Sequence, residues 1–417
     1  MLPHSRARSF VVAGVLAGLV GVAPLDAQQE QVTEFPSWRL PGWSFTPGVT
    51  IGALFDNNVA IAPAAAPGGK PDSDRLFTFQ PTGQLEYYDA RTMFSSGYHG
   101  TIRRYVELSA LDGVDHHGYF SLQRMITRRV TFYAKDNYMR VPTTDQLELN
   151  GVPFRRTGAK YNDLIGGLEA RLSRTIDLTA EYENTWVDFV RKDTPLTGGF
   201  VNGVHASLSD RVSGRSSIGV EGGMRWANLT ENRLDVTENT LGVTAVPVTL
   251  LFEDVGAVYR YRTGPLTVVE AAFGLAHLDD RTRGITRNGP YARAGITHRA
   301  ERANVGAFYE RSYVPSLAFG GTNQSEELRG YVEMPLARNR FYVQESAAWR
   351  RTNPFAVGEP PLASVWVDTL GGYALQRWLR LEGYWVFTRQ DNRLAGGLVT
   401  RHIIGMQVVV SEPMRMR

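Results

Sequence analysis

The chain has 417 residues, 21% of them charged, with a formal charge of +3. A balance so near neutral gives no electrostatic basis for binding nucleic acid, and a mean hydropathy of -0.24 excludes a bundle of membrane-spanning helices. The complete lack of cysteine excludes thiol catalysis, thiolate metal sites, a lipidated N-terminal Cys and any disulfide support for loops.

Residues 1–27 read as a secretory signal. Arg6 and Arg8 form its basic start, Phe10 to Val22 its apolar run, and Ala27 precedes the expected cleavage. Residues 28–43 form a polar periplasmic leader with Pro36 and Pro41. Trp38 and Trp43 stand where the chain would meet a membrane interface, a setting that favours Trp.

From Ser44 a period of two sets in, and it is clearest between Leu164 and Val190. There Leu164, Gly166, Leu168, Ala170 and Leu172 share one face, and Ile165, Gly167, Glu169 and Arg171 the other. The turn Ser173-Arg174-Thr175 is short enough only for a hairpin. After it, Ile176, Leu178, Ala180, Tyr182 and Trp186 alternate with Asp177, Thr179, Glu181, Glu183 and Thr185. One apolar and one charged face over about ten residues fits a strand between lipid and water.

The pattern recurs about eighteen times, with sixteen strands as the alternative, so the predicted fold is all-β, a single up-and-down antiparallel transmembrane barrel over residues 44–410. Residues 411–417 then form a basic tail. Expected strands include 92–108, 118–127, 215–228, 248–262, 289–299 and 339–352. The connections alternate long and short. Long ones include 56–74, 109–117, 141–158, 191–198, 229–247 and 316–324, and short ones lie near residues 89–91, 127–128, 173–175, 263–265 and 376–377. Short periplasmic turns and long outer loops are the rule in bacterial outer membranes, so the expected location is the outer membrane after signal cleavage. Most short turns carry an arginine (Arg91, Arg128, Arg174, Arg302, Arg338, Arg377), as solvated turn polarity requires; lipid phosphate is the other reading.

The opening strand, Phe45-Thr46-Pro47-Gly48-Val49-Thr50-Ile51-Gly52-Ala53-Leu54-Phe55-Asp56-Asn57-Asn58-Val59, resembles that of the β-barrel porin type 2 family. Members of that family open with a Thr-Pro strand running into Tyr-Asp-Asp-Asn-Val; Phe55 stands for the Tyr and Asn57 for the middle Asp. The segment Asp74 to Gly83 is similar to the family's Pro-Gly strand, and Leu172 to Thr175 matches its turn style. The resemblance implies an exopolysaccharide-associated barrel. Its expected partners are outer-membrane lipid and lipopolysaccharide, a saccharide solute, the barrel assembly machinery and periplasmic polysaccharide-export proteins. The last strand, His402 to Val410, carries the Gly and alternate apolar residues of an assembly signal but no terminal aromatic.

Function in a barrel falls to its water-facing positions. The candidates lining the lumen are Arg103, Tyr105, Glu169, Arg171, Glu181, Glu183, Glu221, Arg225, Arg260, Arg293, Arg329, Tyr331, Glu333, Arg340, Tyr342, Arg380, Glu382 and Tyr384, joined by Asp254, Glu270, Arg350, Tyr133 and Tyr291. Both signs occur in similar number, so no single-sign selectivity ring is expected, and cross-strand pairing is the plain structural reading of the charges. Tyrosine rings could pack on sugar faces. Trp186, Trp226, Trp349 and Trp385 fall late on apolar faces and suit an interfacial girdle.

No catalytic residue, cofactor or metal is expected. His116 and His117 read as loop histidines without a third ligand. Ser95 and His99 share a strand face but stand about 13 Å apart, beyond hydrogen bonding. The expected function is a porin-like channel for a saccharide. A non-conducting scaffold of a secretion system and an outer-membrane hydrolase are the alternatives.

Overall fold

A computed structural model describes residues 42–63, 72–147, 149, 152–190, 196–237, 240–300, 303–318, 321–336, 340–355, 361–392 and 397–416. The signal expectation and residues 28–41 of the expected leader fall outside this set, as do residues 64–71 of the loop 56–74; Gly42 and Trp43, read as leader, begin the first strand. The period-two segments become β1 (Gly42–Asp56), β2 (Asp74–Tyr88), β3 (Thr92–Tyr105), β4 (Gly113–Met125), β5 (Val130–Val141), β6 (Ala159–Arg171), β7 (Ile176–Phe189), β8 (Gly199–Asp210) and β9 (Ser216–Thr237). They continue as β10 (Thr240–Arg262), β11 (Thr267–Asp280), β12 (Ile285–Ala300), β13 (Ala303–Pro315), β14 (Thr322–Leu336), β15 (Phe341–Pro354), β16 (Leu362–Gln376), β17 (Leu379–Asn392), β18 (Gly397–Ser411) and β19 (Met414–Arg415).

Each strand up to β18 pairs antiparallel with the next, and β18 returns to β1 in the register Gly48↔Ser411 through Asp56↔Ile403. The result is a closed ring of eighteen strands with no free edge, the arrangement that satisfies every backbone group of a strand in lipid. Outside the ring, β19 continues the line of β18 and pairs Phe45↔Met414 and Ser44↔Arg415 on β1.

Turn chemistry sets the short connections. The Asp89 carboxylate accepts the backbone N–H groups of Arg91 (2.7 Å) and Thr92 (2.6 Å). Ser173 Oγ accepts those of Thr175 (3.1 Å) and Ile176 (3.0 Å), and Ser213 Oγ those of Arg215 (3.1 Å) and Ser216 (2.9 Å). A short polar side chain that satisfies the turn's own amides is the reason Asp and Ser sit at these places.

The two faces are distinct. Along β11, Ala272 and Ala276 are 5% and 4% exposed, whereas Phe273 and Leu275 between them reach 69% and 66%. The same alternation leaves Ile51, Phe77, Leu168, Val220, Val255, Leu328 and Ile404 exposed on the exterior. An apolar band around a closed barrel is what a bilayer covers. Aromatic residues border it. Trp43 packs on Tyr87 and Phe94 near the short-turn end, and Trp385 stacks with Phe387 and His402 near the long-loop end.

Several expected boundaries move. The segment 229–247, read as a loop, continues as paired strand through Thr237↔Thr240, so β9 and β10 project as a long hairpin. Its Thr and Val residues suit an extended backbone, but its mixed polarity hid it from a search for alternating faces. β4 begins at Gly113 rather than residue 118, which puts His116 and His117 in a strand and not in a loop. His116 is outward, bonded to Tyr98; His117 is inward, 3.1 Å from His99.

Candidate functional site: the lumen and its inward loops

The interior changes character along the barrel. Toward the short turns the inward positions are polar and partly open, as at Gln84, Glu86, Gln123, Glu169 and Thr179. Toward the long loops they are apolar and dry. Met139, Tyr161, Phe189, Leu229, Leu250, Phe252 and Leu278 join one buried cluster with the loop residues Leu147, Leu149, Val152, Leu196, Leu317 and Ala318. Long loops therefore fold into the barrel instead of standing away from it, because their leucines and valine have no other apolar surface to bury against.

The connection between β5 and β6 reaches farthest. Its start and end are tied together, since Thr144 N–H donates to the Arg155 carbonyl (3.0 Å) and Arg155 N–H to Thr144 Oγ1 (2.7 Å). Its residues Asp145, Val152 and Phe154 reach β16, β17 and β18. Phe154 N–H donates to Gln390 Oε1 (2.7 Å), and Gln390 Nε2 donates to the Val152 carbonyl (3.1 Å) and Ser364 Oγ (2.9 Å). The Phe154 ring meets Trp366 edge-on at 5.2 Å, and Trp366 Nε1 donates to the Asp145 carbonyl at 3.3 Å.

Arg401 of β18 fixes the same loop by charge. Its Nη1 donates to Asp145 at 2.6 Å and its Nη2 to Asp56 of β1, also at 2.6 Å. The three side chains are only 5%, 4% and 1% exposed. Two carboxylates around one buried guanidinium leave no charge dry and alone, and losing one partner of such a group is costly. A second tie joins the connection before β8 to the one after β13: Thr197 N–H donates to the Ala318 carbonyl (3.1 Å) and Gly198 N–H to the Leu317 carbonyl (3.0 Å). Gly198 has φ +76°, a left-handed conformation that favours glycine. Asn58 closes the loop after β1, donating to the Ala62 (2.8 Å) and Thr400 (2.9 Å) carbonyls.

The sequence-selected positions fall into three groups. Glu221, Arg293, Glu270 and Arg260 form one chain of pairs across β9 to β12, at 2.7, 3.0 and 2.5 Å. Glu327 pairs with Arg329 (2.5 Å) and Arg350 (2.9 Å), Arg225 lies 3.9 Å from Asp254, and Arg380 lies 3.4 Å from Glu382. This wall neutralises itself. On β6 and β7 the inward acids Glu169, Glu181 and Glu183 have no arginine within ion-pair distance among the described contacts. Glu181 accepts a hydrogen bond from Tyr133 (2.6 Å), and Glu333 one from Asn304 (2.8 Å).

Others of these positions are buried or lie at the rim rather than in open lumen. Arg103 is buried against Asp115, and Tyr105 is buried with Val59 and Leu76 beneath the Arg156 guanidinium. Tyr342 is buried and bonded to Glu382. Arg171 is the exposed last residue of β6, paired with Asp177 at the rim, and Arg340 is exposed in the turn before β15 instead of in the strand. Period two carries no information on height along the barrel or on what covers such residues.

Five inward tyrosines share a device that single-strand reading cannot show. Each ring lies across a glycine of the neighbouring strand: Tyr119 over Gly97, Tyr133 over Gly167, Tyr331 over Gly306, Tyr342 over Gly372 and Tyr384 over Gly405. A Cβ on Gly167 would stand 2.6 Å from the Tyr133 ring. The missing side chain lets the ring lie flat and its hydroxyl reach a glutamate two strands away, as Tyr133 does to Glu181 and Tyr342 to Glu382. Tyr119, Tyr133, Tyr331 and Tyr384 remain partly exposed. The residues that the sequence reading passed over are Asp56, Asp145, Trp366, Gln390 and Arg401. Arg401 shares the inward parity of Gln407 and was open to detection on that ground; its partnership with Asp145, 256 positions away, was not.

No family model matches the chain, so the expected membership in the β-barrel porin type 2 family is not shown, and no curated protein sequence matches it. Solved barrels are similar in shape. OccAB4 of Acinetobacter baumannii shares 9% identity over 91% of this chain and 100% of its own, with a TM-score of 0.43. OpdQ of Pseudomonas aeruginosa shares 9% over 90% and 98%, with a TM-score of 0.42. The ferric citrate transporter FecA in its unliganded form shares 10% over 90% and 80%, with a TM-score of 0.45. Likeness of that degree transfers no solute and no mechanism.

Proposed function

We propose that the chain is an outer-membrane channel for a small polar solute, a saccharide by preference, with an outer mouth constricted by its own loops. The observation that carries this reading is the pairing of an apolar exterior band with a polar interior that narrows into the loop ties at Arg401 and Gln390. Tyrosine rings held flat on the wall, with both signs of charge between them, suit a neutral or zwitterionic polyhydroxyl solute better than a simple ion, since no ring of one sign lines the path among the described residues. Outer-membrane lipid surrounds the barrel in this reading, and the barrel assembly machinery inserts it.

The dry cluster of Leu147, Leu149, Val152 and Leu317 favours a second reading, a plugged barrel that docks periplasmic export proteins. Conductance of the refolded protein in a planar bilayer separates the two. Steady current that neutral oligosaccharides block more than salts of like size supports the channel. A folded, heat-modifiable barrel with no current at any voltage rejects it and supports the plug.

A further inference from the structure

The exterior band is not uniform. Where β15, β16 and β17 approach the long loops it holds a hollow of about 350 Å³, lined by Trp349, Ala363, Val365, Arg389, Asp391 and Leu398. The strand pairing puts these residues on one face. Val365 stands between Trp349 and Arg389, and one pleat nearer the loops Ala363 stands between Arg351 and Asp391. The face is the exterior, because the alternate positions Arg350, Ser364 and Gln390 are the buried inward ones. The hollow is therefore a slot along β16. Its floor is small and apolar, and its walls on β15 and β17 stand about 10 Å apart, two strand spacings. Each wall carries a cation on the loop side of an aromatic ring: Arg351 lies one outward position beyond Trp349, and Arg389 one beyond Phe387. Rings of that kind mark the level where acyl chains give way to headgroups. Both arginines are exposed, and neither has a carboxylate within ion-pair distance among the described residues. Glu326, which stands opposite Arg351, is taken by Arg311 at 3.5 Å.

We infer that this slot binds one anionic glycolipid of the outer leaflet, a lipopolysaccharide. Its phosphate lies over Ala363 between Arg351 and Arg389, where the small side chain leaves room, and an acyl chain runs from there along Val365. Two positive charges beside an apolar floor complement a phosphate that carries an acyl chain. Asp391 would repel phosphate, but its carboxylate accepts hydrogen bonds from sugar hydroxyls on the loop side, which a phospholipid without sugar does not offer. A second copy of the chain in a symmetric contact would instead set these two arginines against two more. The inference rests on the reading of the barrel as membrane-spanning with its long loops outside.

The test is native mass spectrometry of the refolded full chain, released from detergent with added short-chain lipopolysaccharide or, separately, phosphatidylglycerol. Heat-modifiability and insertion into liposomes are scored beforehand. Failure to insert would reject the membrane reading itself. If the barrel inserts, one retained lipopolysaccharide per chain is expected, held more firmly than phosphatidylglycerol. The double variant Arg351→Gln/Arg389→Gln should weaken retention about fivefold per arginine, the effect of one cation near an anionic surface. Ala363→Trp fills the place of the phosphate and should abolish retention while leaving heat-modifiability unchanged. Arg281→Gln, elsewhere on the same rim and paired with Asp279, should change nothing. Equal retention by the parent and both slot variants would overturn the site, as would an equal loss in Arg281→Gln. Equal retention of phosphatidylglycerol would overturn the assignment to a glycolipid. An oligomer that Ala363→Trp converts to monomer would make the slot an interface between copies.

Discussion

The two halves of the barrel interior are built on opposite principles. The half toward the long loops is packed like the core of a soluble protein, with Leu147, Phe154 and Leu250 at 1%, 2% and 0% exposure. The half toward the short turns is wet, and its fixed order comes from tyrosine–glutamate bonds and ion pairs along the wall. The first half can be closed only by segments distant in sequence; the second is organised strand by strand. Stability and gating should therefore separate, with loop contacts governing the mouth and wall contacts governing the ring.

Arg401→Ala should break this separation most strongly. It leaves Asp56 and Asp145 buried without their cation, a loss of roughly 3–5 kcal/mol, and it frees the connection between β5 and β6. The expected outcome is faster proteolysis within residues 142–158 and larger conductance, in a barrel that still migrates as heat-modifiable. Unchanged proteolysis would mean that Gln390 and Trp366 hold the loop alone.

Gly167→Ala should act on the other half. A methyl group there meets the Tyr133 ring and, at 2.7 Å, the Ala180 carbonyl, so ring and strand must shift and Glu181 loses its donor, at about 1–3 kcal/mol for overpacking. The temperature at which the barrel loses heat-modifiability should fall while proteolysis of residues 142–158 stays as before. Tyr133→Phe removes only the hydroxyl and should cost less, about 1 kcal/mol. An equal loss in the two variants would show that the hydrogen bond, and not the crowding at Gly167, sets the effect.

The smallest effect belongs to a turn. Asp89 is held below the ordinary carboxylate range, first by the Arg91 amide and further by Thr92 and Tyr87. A depressed carboxylate stabilises the folded state above its unfolded pKa and ceases to do so as pH falls through its folded value. Exchange protection of the Arg91 and Thr92 amides should accordingly persist at neutral pH and decline only below about pH 4. Asp89→Asn, which keeps one acceptor, should remove that pH dependence.

Legibility in the sequence followed the range of the interaction. Strand number, direction and face are local properties, and the period of two in stretches such as Leu164 to Leu172 reported them well. The hairpin of β9 and β10 escaped because Leu229 to Val246 alternates poorly, and β4 was shortened because Asp115, His116 and His117 look like loop residues. The loop contacts were illegible for a different reason. Nothing near Asp145 indicates Arg401, and nothing near Phe154 indicates Gln390; only ring closure brings β5 and β18 within reach of one loop.

The seam between β1 and the chain's last strands bears on biogenesis. Ser44 meets Arg415 and Gly48 meets Ser411, so the contact that seals the ring joins residues more than three hundred positions apart. Until the final strands arrive, β1 and the growing strand opposite it are both bare edges, free to pair with any other chain. Closure of this kind has a high contact order and is slow. The ring therefore cannot be sealed before its last strands are in place, and exposure of the two edges ends only there.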